Sequence, residues 1–133
     1  MRVIVNIDVP DLAEAIGFYG AALGLQLDRM LDDDVAELAG ASCAIYLLQR
    51  PRATSPVGTL PLARDYARHW TPVHLDFVVG DVTEAARRAV DAGAIQESGC
   101  TGWKGSKCTT FADPFGHGFC LIAFAKGTYD DAD

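Results

Sequence analysis

The sequence predicts an α+β fold made of two tandem β-α-β-β-β modules. Three observations support this prediction: an internal repeat, alternating apolar residues in the strand that opens each repeat, and a helix start of the same kind after each of these strands. Residues 5–15 align with residues 75–85 at a constant offset of 70 positions. A repeat of this length is typical of one supersecondary unit used twice, so both halves are expected to fold in the same way.

The strand that opens each half has one apolar face. This face is expected to be buried, because successive side chains of a strand point to opposite faces of the sheet. The apolar faces consist of Val3, Val5, Ile7 and Val9 in the first half and of Val73, Leu75, Phe77 and Val79 in the second. The opposite faces carry Ile4, Asn6 and Asp8, and His74, Asp76 and Val78. The polar residues among them predict a concave, solvent-filled surface.

A helix is predicted directly after each opening strand. Asp11 and Asp81 are N-cap candidates, and a glutamate follows each of them three positions later, as in an acidic form of the capping box. Gly24 and Gly93 end the apolar periodicity of the two helices. Each helix is expected to cover the apolar face of its own sheet.

Shorter strands and a linker complete the predicted architecture. Strands are expected at residues 26–31, 35–38, 43–49, 95–97, 107–112 and 119–124, with a Pro- and Gly-containing turn at residues 113–117. A single domain is predicted over residues 1–133, with module one at about 1–50, the linker at about 51–71 and module two at about 72–126. One short helix is expected in the linker, near residues 60–68.

Composition narrows the class of protein. The chain has 133 residues, half of them hydrophobic, which suffices for a core without disulfides or structural metals. Its net charge of −7 disfavours nucleic-acid and membrane partners. The four cysteines show no CxxC spacing and are interpreted as reduced thiols. A cytoplasmic location is expected, because neither a membrane-spanning apolar run nor a secretory signal is recognised.

Four segments of the sequence together resemble a known superfamily. They are Asp-Leu-x-x-Ala-x-x-Phe-Tyr at residues 11–19, Leu-Gly-Leu at 23–25, His-Leu-Asp-Phe-x-Val at 74–79 and Asp-Pro-Phe-Gly-His-Gly-Phe at 113–119. In this order they resemble the glyoxalase, bleomycin-resistance and extradiol dioxygenase superfamily, also called the vicinal oxygen chelate proteins. The resemblance implies that the modules lie side by side as a cupped mixed sheet around one cavity for a small organic molecule. It also implies a homodimer.

The resemblance further implies where a metal ion would bind. In metal-using members the ligands come from four inward strand positions, which correspond here to Ile4, Tyr46, His74 and Cys120. Only His74 matches the usual His, Glu or Gln, and Ile4 has no donor atom, so neither a metal nor another cofactor is expected. The alternative is a zinc site made by Cys120, His74 and a carboxylate such as Asp76 or Asp8.

Candidate ligand-binding residues lie on the polar strand faces, in one loop and on the last strand of each module. They are Asn6, Asp8, Tyr46, His74, Asp76, Trp103 and Cys120. A His74–Asp76 pair suits acid–base chemistry, ligand contact or a structural role. The acidic groups favour a cationic or hydrogen-bond-donating ligand, unless Asp8 or Asp76 pairs with an arginine or caps a backbone amide.

The aromatic and sulfur-containing candidates each have two interpretations. Trp103 lies in a glycine-flanked loop and is expected either to stack on a planar ligand or to pin its loop to the sheet. Trp70 and His69 are expected to line the mouth of the cavity from the linker. Tyr46 suits hydrogen bonding to a ligand or core packing, and Cys120 suits ligand contact or the role of a small buried apolar side chain.

These residues favour capture of a small organic molecule in a metal-free cavity, as in bleomycin-resistance and other antibiotic-sequestering members. The ligand is expected to be partly planar, and neutral or cationic. One alternative is a lyase, isomerase or dioxygenase of the superfamily, with an unusual His74/Cys120 metal site or with His74–Asp76 acid–base chemistry. Another is a module that regulates or stabilises a partner protein, which a large exposed apolar patch would favour.

Overall fold

The computed structural model describes residues 1–129. Residues 130–133, the end of the predicted domain, lie outside the described residues. The chain divides into two compact units, Met1–Ala67 and Arg68–Asp133, which we call unit one and unit two. The boundary falls inside the predicted linker, and most of that linker belongs to unit one.

Unit one is a β-α-β-β-β unit with a mixed four-stranded sheet. Its elements are β1 (Val5–Val9), α1 (Leu12–Leu23), β2 (Gln26–Leu31), β3 (Val35–Ala39) and β4 (Ile45–Gln49). The strand order is β1-β4-β3-β2. The first and last strands pair in parallel, and the other pairs are antiparallel. The crossover helix α1 makes the parallel pairing of β1 with β4 possible.

Unit two repeats this topology with one additional short strand. Its elements are β5 (Leu75–Val78), α2 (Val82–Ala92), β6 (Ile95–Gln96), β7 (Thr101–Trp103), β8 (Ser106–Ala112) and β9 (Gly118–Phe124). The strand order is β5-β9-β8-β6, and β7 also pairs with β8. Again the first and last strands are parallel neighbours. The predicted α+β class and the tandem modules are therefore confirmed.

Both helices begin and end as the sequence predicts. A side-chain oxygen of Asp11 accepts a hydrogen bond of 3.0 Å from the backbone N–H of Glu14, and Asp81 accepts the equivalent bond of 3.1 Å in unit two. Gly24 and Gly93 adopt the left-handed conformation, with φ angles of 70° and 117°. A residue with a side chain adopts this conformation at a cost, which explains glycine at both helix ends.

Each helix packs on one face of its own sheet. Helix α1 contacts β2, β3 and β4, and α2 contacts β6, β8 and β9. Buried apolar side chains cover that face; they include Val9, Ala36, Leu38, Ile45 and Leu47 in unit one and Phe111, Phe119 and Leu121 in unit two. We call the opposite face of each sheet its open face. Asn6 and Asp76 are exposed and lie on the open faces.

Two predicted details of the strands are wrong. Val3 and Val73 were expected on the buried faces, but both are exposed, because β1 begins at Val5 and β5 begins at Leu75. The glycine-flanked loop around Trp103 is instead strand β7 of a β-hairpin with β8. Its two-residue turn, Lys104 and Gly105, has positive φ angles of 46° and 73°, as a tight hairpin turn requires.

The predicted linker helix is also wrong, since residues 60–68 contain no helix in the described structure. Backbone hydrogen bonds hold this segment instead. The N–H of Ala53 donates to the carbonyl of Arg64 at 2.9 Å, and the N–H of Arg64 donates to the carbonyl of Thr54 at 2.8 Å. A helix of nine residues is marginal by itself, so these tertiary bonds outweigh its propensity.

Candidate functional site

The open face of unit one carries a row of polar side chains. Asn6 pairs with Tyr46 across β1 and β4, Tyr46 pairs with Glu37 on β3, and Glu37 pairs with Arg29 on β2. The Arg29 guanidinium lowers the pKa of the Glu37 carboxyl by a hydrogen bond and by its charge. A surface cleft of about 720 Å³ borders this row. Arg29 and Glu37 were missed at the sequence level, because nothing local marks them as partners.

Asp8 is engaged in an ion pair. Its carboxylate lies 2.6 Å from Nε of Arg64, which also donates a hydrogen bond from Nη1 to the hydroxyl of Thr54. Pairing with an arginine was the expected alternative to ligand binding at Asp8, and the structure contains that pair. An incoming cation would therefore compete with Arg64 for this carboxylate.

The open face of unit two has an equivalent row. Asp76 pairs with Cys120 across β5 and β9, and Cys120 pairs with Thr110 on β8. Asp76 thus occupies the position of Asn6 in unit one, and Cys120 occupies the position of Tyr46. The offset of 70 predicts the first of these equivalences.

His74, Asp76 and Cys120 form a compact group, which we call the His74 cluster. Nε2 of His74 lies 3.2 Å from Oδ1 of Asp76. One ligand atom from each of the three residues lies within 4.8 Å of the others. Cys120 is buried and its Sγ lies 3.3 Å from the hydroxyl of Thr110, whereas the side chains of His74 and Asp76 are 33% and 37% exposed. The cluster therefore presents two polar groups above a buried sulfur.

Cys108 is a neighbour of the cluster that the sequence did not reveal. Burial, together with the adjacent thiol of Cys120 and the charge of Asp76, raises the pKa of Cys108 to about 12. The thiol therefore stays protonated at neutral pH and contributes a neutral, weakly polar surface. Cys108 and Cys120 share a face because they lie two positions apart on paired strands.

The two tryptophans lie at different ends of the open face of unit two. The ring of Trp70 lies 4.7 Å from the ring of His74. Trp103 instead contacts Tyr129, at 5.2 Å between ring centroids. Trp70 lies on Gly118, at the start of β9, and Trp103 pairs with Ser106, whose partner is Phe124 at the other end of β9. These ends of β9 are about 20 Å apart. Trp70 therefore lies beside the His74 cluster, and Trp103 lies far from it.

The four positions that the family resemblance implies as metal ligands offer a poor set of donor atoms. Ile4 has no donor atom, Tyr46 provides a phenol, and only His74 belongs to the usual imidazole and carboxylate set. Cys120 lies beside Asp76, which is not one of the four positions. A metal held by the His74 cluster would therefore use a different donor set.

The two β-α-β-β-β units have the topology of the glyoxalase class of proteins. The family model of the glyoxalase-like domain matches residues 4–122, so the chain belongs to this family. Its superfamily is that of the glyoxalase, bleomycin-resistance and dioxygenase proteins. No curated protein sequence matches the chain significantly.

Solved structures share the fold at low sequence identity. A glyoxalase-related enzyme from Fulvimarina pelagi is 17% identical, with a TM-score of 0.72 and coverage of 100% of this chain and 99% of the other. A fosfomycin resistance protein from Listeria monocytogenes is 16% identical, with a TM-score of 0.68 and coverage of 92% of each chain. A lactoylglutathione lyase from Agrobacterium tumefaciens is 20% identical, with a TM-score of 0.64 and the same coverage. At these identities the likeness establishes the fold alone.

No helix within residues 1–129 is long and apolar enough to cross a membrane.

Proposed function

We propose that the protein binds a small, partly planar organic molecule at the His74 cluster and acts by stoichiometric capture, without a metal ion. Three neighbouring features support this most: the partly exposed His74–Asp76 pair, the partly exposed ring of Trp70 beside His74, and the protonated Cys108 thiol near Asp76. Small-molecule sites combine apolar walls with a few oriented polar groups in this way. Antibiotic or toxin sequestration is the biological role that we propose for the capture.

The remaining predicted residues lie outside the His74 cluster and are proposed as weaker candidates for ligand contact. Asn6 and Tyr46 lie on the open face of unit one, where they offer an amide and a phenol to a ligand. Trp103 is 62% exposed, but it lies near the far end of β9 from the His74 cluster and is proposed only as a separate aromatic surface. Asp8 has the weakest support, because Arg64 already neutralises it.

We also propose a homodimer in the cytoplasm. The free thiols of all four cysteines suit a reducing compartment. Light scattering would test the dimer, with an expected mass of twice the 14.2 kDa of the chain.

Native mass spectrometry tests the capture most simply. Freshly purified protein is expected to carry an organic adduct, and the adduct should be reduced at least tenfold in Asp76→Asn and His74→Ala, because each variant removes a polar group of the cluster. Asp91→Asn is the matched control, since this carboxylate is exposed on α2 and pairs only with Arg87 among the contacts described. Loss of the adduct in the control as well, or retention in both cluster variants, would contradict the proposal.

A second candidate function is supported by the ligand atoms within 4.8 Å of one another. A His, a carboxylate and a cysteine are ligands that zinc accepts, and three protein ligands with an open position are typical of catalytic zinc sites. A superfamily lyase, isomerase or dioxygenase would then act here. Metal analysis of the same sample separates the two candidates: stoichiometric zinc that is lost in Cys120→Ala supports the enzyme and contradicts metal-free capture.

A further inference from the structure

The segment that leads into β5 lies across the edge of the open face of unit two. We call residues 68–73 the Trp70 strap. The ring of Trp70 lies directly on the backbone of Gly118. A Cβ atom at position 118 would lie 2.7 Å from Cζ3 of Trp70 and 2.8 Å from Nη2 of Arg68. Glycine therefore provides the space in which the strap lies.

Arg68 fixes the strap to the sheet. Its guanidinium makes two hydrogen bonds to the carboxylate of Glu97, of 2.7 and 2.6 Å, and donates a third to the carbonyl of His69. The guanidinium also lies over the ring of Trp70, at 5.4 Å from the centroid. Two parallel hydrogen bonds define the position of both groups, so the orientation of Trp70 is set before any ligand arrives.

Trp70 nevertheless remains 48% exposed. Its ring contacts His74, and His74 in turn lies 3.2 Å from Asp76, so the exposed ring and the carboxylate flank the same imidazole. An aromatic ring that is held on several sides and still half exposed is suited to stacking on a planar ligand.

The charges around the ring favour a cation. Glu97 is neutralised by Arg68, and the Cys108 thiol is protonated at neutral pH. Asp76 is the carboxylate of the cluster, and its side chain is 37% exposed beside His74. Tryptophan faces also attract cations.

We propose that Trp70 is a specificity-determining wall of the ligand site and that the ligand class is a planar organic cation, with its ring on Trp70 and its charged group at Asp76. This inference rests on the proposed function and extends it to a residue and a ligand class. Gly118 and Arg68 act as positioning residues, because they reach the ligand only through Trp70.

The test uses three bicyclic probes of similar size: the 4-aminoquinolinium cation, neutral isoquinolone and the quinoline-4-carboxylate anion. The binding is measured with the Trp103→Phe variant, in which Trp70 is the only tryptophan. Saturable quenching of its fluorescence is expected with the cation, about tenfold weaker binding with the neutral probe, and none with the anion. In Asp76→Asn the preference for the cation over the neutral probe is expected to fall, because only the attraction of the Trp70 ring for cations remains.

Gly118→Ala displaces Trp70 without removing it and is expected to weaken cation binding about tenfold. Gly80→Ala is the matched control, because a Cβ atom at that position has no neighbour within 4 Å. Circular dichroism shows whether each variant is folded. If Gly118→Ala does not fold, Arg68→Met provides a second variant in which Trp70 is displaced.

Three results would overturn the inference: equal binding of cation and neutral probe by the unaltered site, unchanged cation binding in both displaced variants, or no binding of any probe. The adduct measured by native mass spectrometry is independent of these probes. An adduct that depends on His74, found together with any of these results, would leave the capture function standing and remove only the ligand class.

Discussion

At the scale of single residues, the surroundings of each cysteine determine its chemistry. Cys100 is exposed, whereas Cys108 and Cys120 lie side by side on the open face of unit two with Asp76 nearby. Burial and adjacent negative charge both disfavour a thiolate. Cys108 is therefore an inert part of the surface rather than a nucleophile.

A dependence of stability on alkaline pH follows from Cys108. Its pKa is raised from an ordinary value of 9.0 to about 12 in the folded protein. Between these values the unfolded chain has lost the proton and the folded chain keeps it, so the contribution to stability is complete below about pH 9 and is lost as the pH rises toward 12. Urea midpoints should show this loss in the wild type and a flatter dependence in Cys108→Ala. Parallel curves for the two proteins would contradict the assignment.

At the scale of elements, both helices are specified by local signals. Aspartate, glutamate and glycine at fixed spacing satisfy the helix ends without help from the rest of the chain. This is why the helices were predicted closely from the sequence. A helix was wrongly predicted at residues 60–68 and strand β7 was missed, because the backbone partners of these segments, Thr54 for the first and Cys108 for the second, lie outside them.

The N-cap of α2 gives a prediction for folding. Asp81→Ala removes the acceptor of the Glu84 N–H and is expected to lower the free energy of unfolding by about 1 kcal/mol. Thr83→Ala, an exposed change in the same turn, should stay within about 0.5 kcal/mol of the wild type. Urea unfolding followed by circular dichroism measures both. Equal effects of the two substitutions would show that the cap contributes nothing specific.

At the scale of the whole molecule, the chain uses one topology twice and varies the open face. Unit one carries Asn6 and Tyr46 where unit two carries Asp76 and Cys120. The superfamily and the tandem modules were predictable, because the repeat and the motifs run along nearly the whole chain. His74 and Asp76 were also predicted as neighbours from alternation within one strand.

The rest of the site depends on pairing between strands and was less predictable. Cys108 joins the cluster through the register of β8 with β9, and Trp70 joins it through the fit of the strap on Gly118. Neither relation leaves a periodic signal in the sequence. Trp103 was favoured over Trp70 because its glycine neighbours resembled a binding loop.

The most direct test of the account locates the ligand. In ¹H–¹⁵N spectra, the two tryptophans give two indole signals, which Trp103→Phe assigns. Titration with the 4-aminoquinolinium cation is expected to shift the indole signal of Trp70 and the amide signals of His74 and Asp76, and to leave the Trp103 signal in place. Shifts confined to Trp103 and Tyr129, or to Tyr46 and its neighbours in unit one, would contradict a ligand site at the His74 cluster.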